Sequence, residues 1–371
     1  MIPYYEQSGV TLYHGNCLDV LRELPAESVN CCVTSPPYWG LRDYSSEGQI
    51  GLEQTPDLYV SALVGILGEV RRVLRDDGTL WLNIGDSYAS SPPGNKTQGV
   101  SAKSGLHGVN GASGKYRETL SQSVQTKRST ICAGLKPKDL VGIPWRVAFA
   151  LQANGWYLRS DIIWAKPNPM PESVEDRPTR SHEYIFLLSK SANYFYDHEA
   201  IKEPSVAGHS SGNGFKRDAR LSYQDSNGAR GSDEEWKPKG RGGANAFRGQ
   251  GHFRESDSGP ANREGRDMRD VGCGDNRNKR DVWTVNTEPF PEAHFAVFPP
   301  ALITPCVLAG CQKCGTVLDP FSGAGTTALV AKGNGCRAIG IELNQEYLEM
   351  SVRRLSQEVF DFAAAGDQNN S

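Results

Sequence analysis

Apolar positions fall into two rhythms along the chain, one of short runs and one of helical spacing. Val29-Asn-Cys-Cys-Val-Thr34 is a β-prone apolar run. It stops at Pro36-Pro37, where no ladder can continue. Gly9–Tyr13 reads as a shorter strand and Leu18–Leu24 as one or two helical turns. Across Pro56–Leu74 the apolar residues Leu58, Ala62, Leu63, Ile66, Leu67, Val70 and Leu74 keep a helical spacing. Arg71, Arg72 and Arg75 sit at the end of that segment, where a helix dipole favours cations. Asp77-Gly78 predicts a turn and Thr79–Asn83 the next strand. Farther along, Pro144–Gln152 predicts a helix with Pro near its start and Gly155 just past its end. Tyr157–Trp164, His182–Ser189, Thr316–Asp319 and Arg337–Ile341 read as strands; Gly325–Gly333 and Gln345–Leu355 read as helices. This alternation predicts an α/β fold, a Rossmann-like, mostly parallel sheet with helices on both faces.

The rhythm breaks twice. Residues 89–135 are dominated by Gly, Ser, Asn, Gln and Lys, which predicts a flexible loop. Residues 201–280 are rich in Gly, Arg, Asn and Asp. They hold 16 Lys or Arg against 12 Asp or Glu, so the formal charge of −3 conceals a basic segment in an otherwise acidic chain. Phe215, Tyr223, Trp236, Phe247 and Phe253 are interleaved with those charges. The segment reads either as a solvated insertion or as a DNA-contacting module that orders on binding.

Two turns carry candidate chemistry. Asp319-Pro-Phe-Ser-Gly-Ala-Gly-Thr-Thr327 joins a strand to a helix, with Gly323 and Gly325 allowing a tight turn and close approach of a ligand. Glu342 ends the next strand, 19 positions after Gly323, where a carboxylate can accept both hydroxyls of a ribose. NAD, FAD and S-adenosylmethionine all fit this pattern, whereas a P-loop is excluded because no Gly-Lys-Ser/Thr follows. Asp319 adds a carboxylate at the strand end, which would hold the ammonium of S-adenosylmethionine and repel a pyrophosphate. The second turn is Thr34-Ser-Pro-Pro-Tyr-Trp39. Its prolines fix the backbone and remove two amide donors. That leaves the Ser35 hydroxyl and the Ser35 and Pro36 carbonyls as a rigid acceptor cluster beside the flat ring of Tyr38. Such a cluster suits gripping an amino group while stacking the planar ring that bears it.

With these residues the chain resembles the DNA amino-methyltransferases, which modify cytosine N4 or adenine N6. Ser35-Pro36-Pro37-Tyr38 resembles the family's catalytic motif. Asp319–Thr327 and Gly340-Ile341-Glu342 resemble its cofactor motifs, and His294-Phe-Ala-Val-Phe-Pro299 its helix-opening motif. Gly78–Asp86, Ile162–Pro167 and Arg177–Tyr184 are also similar to family segments. The catalytic motif precedes the cofactor motif, the order of the β, circularly permuted subgroup.

The resemblance implies an enzyme that binds S-adenosylmethionine through Asn16, Phe295, Asp319, Phe321, Ser322, Gly323, Gly325, Thr326 and Glu342. Ser35, Pro36, Pro37 and Tyr38 would be catalytic, acting on a base flipped out of double-stranded DNA. Residues 1–200 would form the catalytic half, 201–280 the target-recognition insertion, 281–360 the cofactor half and 361–371 a tail. Ser at the first motif position favours cytosine N4, with adenine N6 as the alternative. One departure stands out: Gly15-Asn16-Cys17 replaces the usual Gly-Asp-Cys, so the cofactor's adenine amine would meet a neutral oxygen.

Other signals change this picture little. No apolar run approaches the ~20 residues of a membrane span. The N-terminus resembles neither a signal nor a transit peptide. The nine cysteines follow no secreted framework, so a reducing cytoplasm is expected. Cys311-Gln-Lys-Cys314 has zinc-knuckle spacing without four ligands close by, and no metal is expected. Trp39 is a candidate support for Tyr38; Trp81, Trp156 and Trp164 are expected in the core. Asp86 reads as a base-pocket residue or a loop cap, and Arg177, Arg180 and His182 as phosphate contacts or a local ionic cluster. An RNA or protein methyltransferase, a non-enzymatic DNA-binding protein and an NAD-dependent oxidoreductase are the competing functions. A restriction endonuclease would be the partner of a DNA enzyme of this kind; oligomeric state is not legible.

Overall fold

Nine strands form one sheet in the computed structural model, which describes residues 1–41, 43–44, 46–89, 134–205, 276–288 and 297–366. Residues 90–133 of the expected loop, most of the 201–280 segment and Phe295 lie outside the described residues. In chain order the strands are β1 (Tyr5–Gln7), β2 (Val10–His14), β3 (Val29–Thr34), β4 (Leu74–Ile84), β5 (Tyr157–Ala165), β6 (His182–Ser189), β9 (Val282–Thr284), β10 (Thr316–Asp319) and β11 (Arg337–Glu342). Two further short strands, β7 (Glu203–Pro204) and β8 (Asn276–Arg277), lie at the ends of a second compact unit, Pro204–Arg277; residues 1–203 and 278–371 make up the first.

The order across the large sheet is β1-β2-β11-β10-β3-β4-β6-β5-β9. From β2 to β4 every neighbour pair is parallel, and β5 pairs with β9 in parallel. The β1–β2, β4–β6 and β6–β5 pairs are antiparallel. The central strands are apolar on both faces, as a sheet covered on both sides demands. Tyr59, Leu63, Leu67 and Val70 of α2 (Pro56–Val73) lie in one core cluster with buried residues of α1 (Cys17–Glu23) and α3 (Ile143–Ala153). Leu302, Ile303, Cys306 and Val307 of α4 (Pro300–Gly310) lie in a second cluster with residues of α5 (Thr326–Gly333) and α6 (Gln345–Gly366).

One local expectation is corrected. Asp77-Gly78 is not a turn, because β4 begins at Leu74 and runs through it, with its pairing to β3 slipping between Val29 and Cys31. A Cβ at Gly78 would lie 2.9 Å from the Arg75 carbonyl oxygen, so this irregularity needs glycine. Periodicity does not predict helix α4; only the resemblance of His294–Pro299 to a helix-opening motif points to a helix beginning at Pro300. No described helix is long and apolar enough to cross a membrane.

Candidate active site

Strands β10 and β3 are neighbours, yet the helix that follows β10 packs on one face of the sheet and the helix that follows β3 on the other. Where connections diverge in this way, a crevice opens at the carboxyl ends of the strands. The crevice is a cavity of about 290 Å³, and it brings together the two turns singled out in the sequence. Ser35, Pro36, Pro37 and Tyr38 line it from the end of β3; Phe321, Ser322, Gly323 and Thr326 line it from the end of β10. Glu342 closes it from β11, and Asn16 from the N-terminus of α1.

Asp319 does not line this cavity. Its carboxylate is 2 % exposed and lies beneath the crevice. Oδ1 accepts from Thr34 Oγ1 (2.6 Å) and the Phe321 amide (3.0 Å), and Oδ2 accepts from Thr327 Oγ1 (2.7 Å). The expectation that Asp319 holds a ligand's ammonium is thereby corrected: both oxygens are spent on pinning the end of β10 to the end of β3 and to the first turn of α5. Burial pushes its pKa up to about 6, against those three hydrogen bonds, which lower it.

Glu342 stands where the sequence placed it. Oε2 accepts from the Gly323 amide (2.7 Å) and Oε1 from the Asn344 amide (2.8 Å), which fixes the carboxylate while leaving lone pairs toward the cavity. Its pKa is raised by burial. Gly325 has φ +76°, and a Cβ there would lie 2.9 Å from Ser351 Cβ, so two demands converge on one glycine. Asn16 caps α1, its Oδ1 accepting from the Leu18 amide (2.9 Å). The oxygen expected to meet a ligand thus already carries one hydrogen bond.

The catalytic-turn residues divide. The Pro37 carbonyl accepts from Tyr59 Oη (2.8 Å), which anchors the turn to α2. Trp39 lies in the core, 3 % exposed, its indole nitrogen donating to the Glu53 carbonyl, within the cluster against which Tyr38 packs. The Tyr38 ring lies on the backbone of Gly85, where a Cβ would come within 2.5 Å of Tyr38 Cε2. Its hydroxyl donates to Glu183 Oε2 (2.7 Å), with Asn83 Oδ1 at 3.3 Å.

Asp86 and the arginines form a local cluster. Asp86 Oδ1 accepts from the amides of Ser87, Gly142 and Ile143 at 2.9, 2.9 and 3.0 Å. Gly142 is the N-cap of α3 and has no side chain for the task, so Asp86 caps that helix from 56 residues away. Arg180 reaches Asp86 (3.7 Å), and Arg177 pairs with Glu172 (2.7 Å) while lying over the Tyr88 ring. We expect Asp86→Ala to cost about 2 kcal/mol, because it strands helix-terminal amides. Urea unfolding measures this; an unchanged midpoint would show that the cap is dispensable.

The DNA methylase family model matches residues 29–353. The chain belongs to the DNA methylase family. Type II methyltransferase M.Cfr9I of Citrobacter freundii is 43% identical over 353 residues, 95% of this chain and 90% of the relative. Type II methyltransferase M.SmaI of Serratia marcescens is 42% identical over 341 residues, 92% and 89% of the two chains. Among solved structures, the PvuII DNA methyltransferase (cytosine-N4-specific) shares the fold at a TM-score of 0.55 and 17% identity, covering 94% of this chain and 87% of the other.

The methylase cavity also has a wall that the sequence reading did not assemble. Lys166, Glu183, Asn83 and Trp164 line it opposite the cofactor turn, and Trp164, expected only as core, is both core and wall. The similarity of Ile162–Pro167 and Arg177–Tyr184 to family segments was the signal that could have found them. The cofactor-side residues fit S-adenosylmethionine. Besides the Glu342 carboxylate, Ser322 Oγ is a buried polar atom on the cavity wall with no partner among the described residues. Val297 and Phe298 extend the wall.

Proposed function

We propose that this DNA methylase modifies the exocyclic N4 of cytosine in double-stranded DNA, with S-adenosylmethionine as the methyl donor. The observation that carries the reading is the single cavity in which the Ser35–Tyr38 turn faces Ser322, Gly323 and Glu342. A base amine is buried in pairing and stacking within a duplex, so the target must flip out to enter. The Tyr38 ring gives the flipped base a flat wall, held by Glu183 above and Gly85 behind. Ser35 Oγ and the Pro36 carbonyl accept from the amine, which aims its lone pair across the cavity. When bound, S-adenosylmethionine supplies an electrophilic methyl group. Phe321, Ser322, Gly323 and Glu342 would hold it, with Asn16 at the far end. Direct attack by nitrogen needs no cysteine nucleophile, and burial raises the thiols of Cys17, Cys31 and Cys32.

Ser35 favours cytosine, because a neutral hydroxyl polarises the amine less than the carboxylate that the resemblance associates with adenine. The 201–280 segment reads the target sequence. The order of β3 before β10 is that of a circularly permuted catalytic domain, and an endonuclease of matching specificity completes a restriction–modification pair. Mass spectrometry of nucleosides from plasmid DNA, incubated with the protein and labelled S-adenosylmethionine, tests the reading. Labelled N4-methylcytosine is expected. Labelled N6-methyladenine would keep the site and overturn the base, and intact cofactor binding with no label in site-rich DNA would overturn the substrate.

A further inference from the structure

A continuous chain of side chains leads from the catalytic turn into the wall of the cavity. Ser35 and Tyr38 line the cavity from the same turn, and the Ser35 side chain hydrogen-bonds the Tyr38 phenol, whose pKa burial and the Glu183 carboxylate raise well above its ordinary value. Tyr38 Oη donates onward to Glu183 Oε2 (2.7 Å). The other carboxylate oxygen, Oε1, is held by Lys166 Nζ, and Asn83 Nδ2 lies 3.4 Å from Oε2. Lys166 itself sits 4.1 Å from the centroid of the Trp164 ring. The Lys166 and Glu183 side chains are only 16% and 17% exposed.

Two physical points make this arrangement more than a support. A stacking wall needs a ring but no hydroxyl, and burying a phenol and an ion pair costs more than burying a phenylalanine among aliphatics. Buried ionisable groups at a cleft are also where proton chemistry concentrates. The reaction poses a proton problem as well, since an amine that gains a methyl group must lose a proton.

We propose that Glu183 is the terminal acceptor of that proton, reached through Ser35 and Tyr38, and that Lys166 is the residue that positions it. The inference rests on the reading of the site as an amine methyltransferase. The amine nitrogen's lone pair forms the bond to carbon, and the carbon–sulfur bonding pair stays on sulfur. The nitrogen, now cationic, passes its proton to Ser35 Oγ while the Ser35 proton moves to Tyr38 Oη and the Tyr38 proton to Glu183 Oε2. One sulfonium charge and one carboxylate charge disappear together, leaving a neutral methylated base and a neutral Glu183. Lys166 stays charged throughout and holds Oε1, so that Oε2 faces the phenol.

Tyr38→Phe keeps the ring and cuts the relay. The single-turnover methylation rate should fall by about tenfold or more, with the affinity for S-adenosylmethionine unchanged and the solvent-deuterium effect of the wild type lost. Glu183→Gln still accepts from Tyr38 but cannot take up a proton, and it should lose a comparable factor, part of which Glu183→Asp recovers. A second readout does not use activity. In protein labelled with carbon-13 at tyrosine Cζ, the resonance deleted by Tyr38→Phe should move in Glu183→Gln. A Tyr38→Phe enzyme at the wild-type rate, or a Tyr38 resonance indifferent to Glu183→Gln, would overturn the relay. A wild-type protein that methylates no DNA would instead overturn the functional reading, with the resonance still reporting on the chain itself.

Discussion

A Gly85→Ala variant is expected to fold, to bind S-adenosylmethionine as the wild type does, and to methylate DNA about 10²- to 10³-fold more slowly. Gly85 follows directly on the end of β4, and its backbone is the surface on which the Tyr38 ring lies. A methyl group there would sit 2.5 Å from Cε2, 3.1 Å from Cδ2 and 3.3 Å from Cζ of that ring. Carbon atoms pack at about 3.5–4.0 Å, so something must move by about an ångström. β4 cannot give easily, because six residue pairs bind it to β6 as far as Ile84–Tyr184. The ring therefore swings off its seat and loses Glu183. The Gly85 backbone has no positive φ, so strain is not the cause, and the cofactor turn on β10 is untouched. Single-turnover methylation, with calorimetric binding of S-adenosylmethionine as control, measures the effect; a rate within about twofold of wild type would show that Tyr38 is not held where catalysis needs it.

Asp319 should set a pH dependence of stability. In the folded protein its pKa is raised from 3.8 to about 6, so between those values the native state holds a proton that the unfolded chain has released. Stability then falls as pH rises through that window, the reverse of a salt-bridged carboxylate. Asp319→Asn removes the charge and keeps the shape. Thr327 Oγ1 already has the Val33 carbonyl at 3.3 Å as an alternative acceptor, so its hydroxyl can turn to receive the new amide. The unfolding free energy of the variant relative to wild type should rise by about 2 kcal/mol between pH 4 and pH 7. Asp319→Ala is the contrasting case. At pH 5 it should cost about 3 kcal/mol, by leaving two buried hydroxyls and an amide without their acceptor. Urea unfolding at several pH values measures both variants. A pH-independent difference between Asp319→Asn and wild type, or a collapse of S-adenosylmethionine affinity in the folded Asn variant, would return Asp319 to the ligand.

What the sequence shows of this molecule is what short-range pattern can encode. The run Val29–Thr34 with its Pro-Pro stop, the 18-residue helix at Pro56–Val73 and the glycines of the cofactor turn are all local statements, and the structure keeps them. Helix α4 was hidden from periodicity, and signalled only by the motif before it, because Leu302, Ile303, Cys306, Val307 and Ala309 are all buried and Pro305 lies within it, so no polar face gives it a period. Asp319 could not be read correctly because its partner Thr34 is 285 residues away in sequence. Glu183 and Lys166 meet only through the antiparallel register of β5 and β6, in which Trp164 lies opposite Glu183. A β-ladder places such pairs by residue count, and a single sequence does not display which count applies.

The order of strands has a consequence for how this protein is made. β3 lies between β4, which follows it closely in the chain, and β10, which is among the last strands to be synthesised. While the ribosome is still translating residues 135–300, the edge of Val29–Thr34 that will meet β10 has no partner, and its Cys31, Cys32 and Val33 are among the most buried residues of the finished protein. An apolar strand edge left waiting in a nascent chain is a template for unwanted pairing. The same delay means that the cofactor and base sites first exist together only when the final helix-flanked strands dock, so a truncated chain has no half-active form to release.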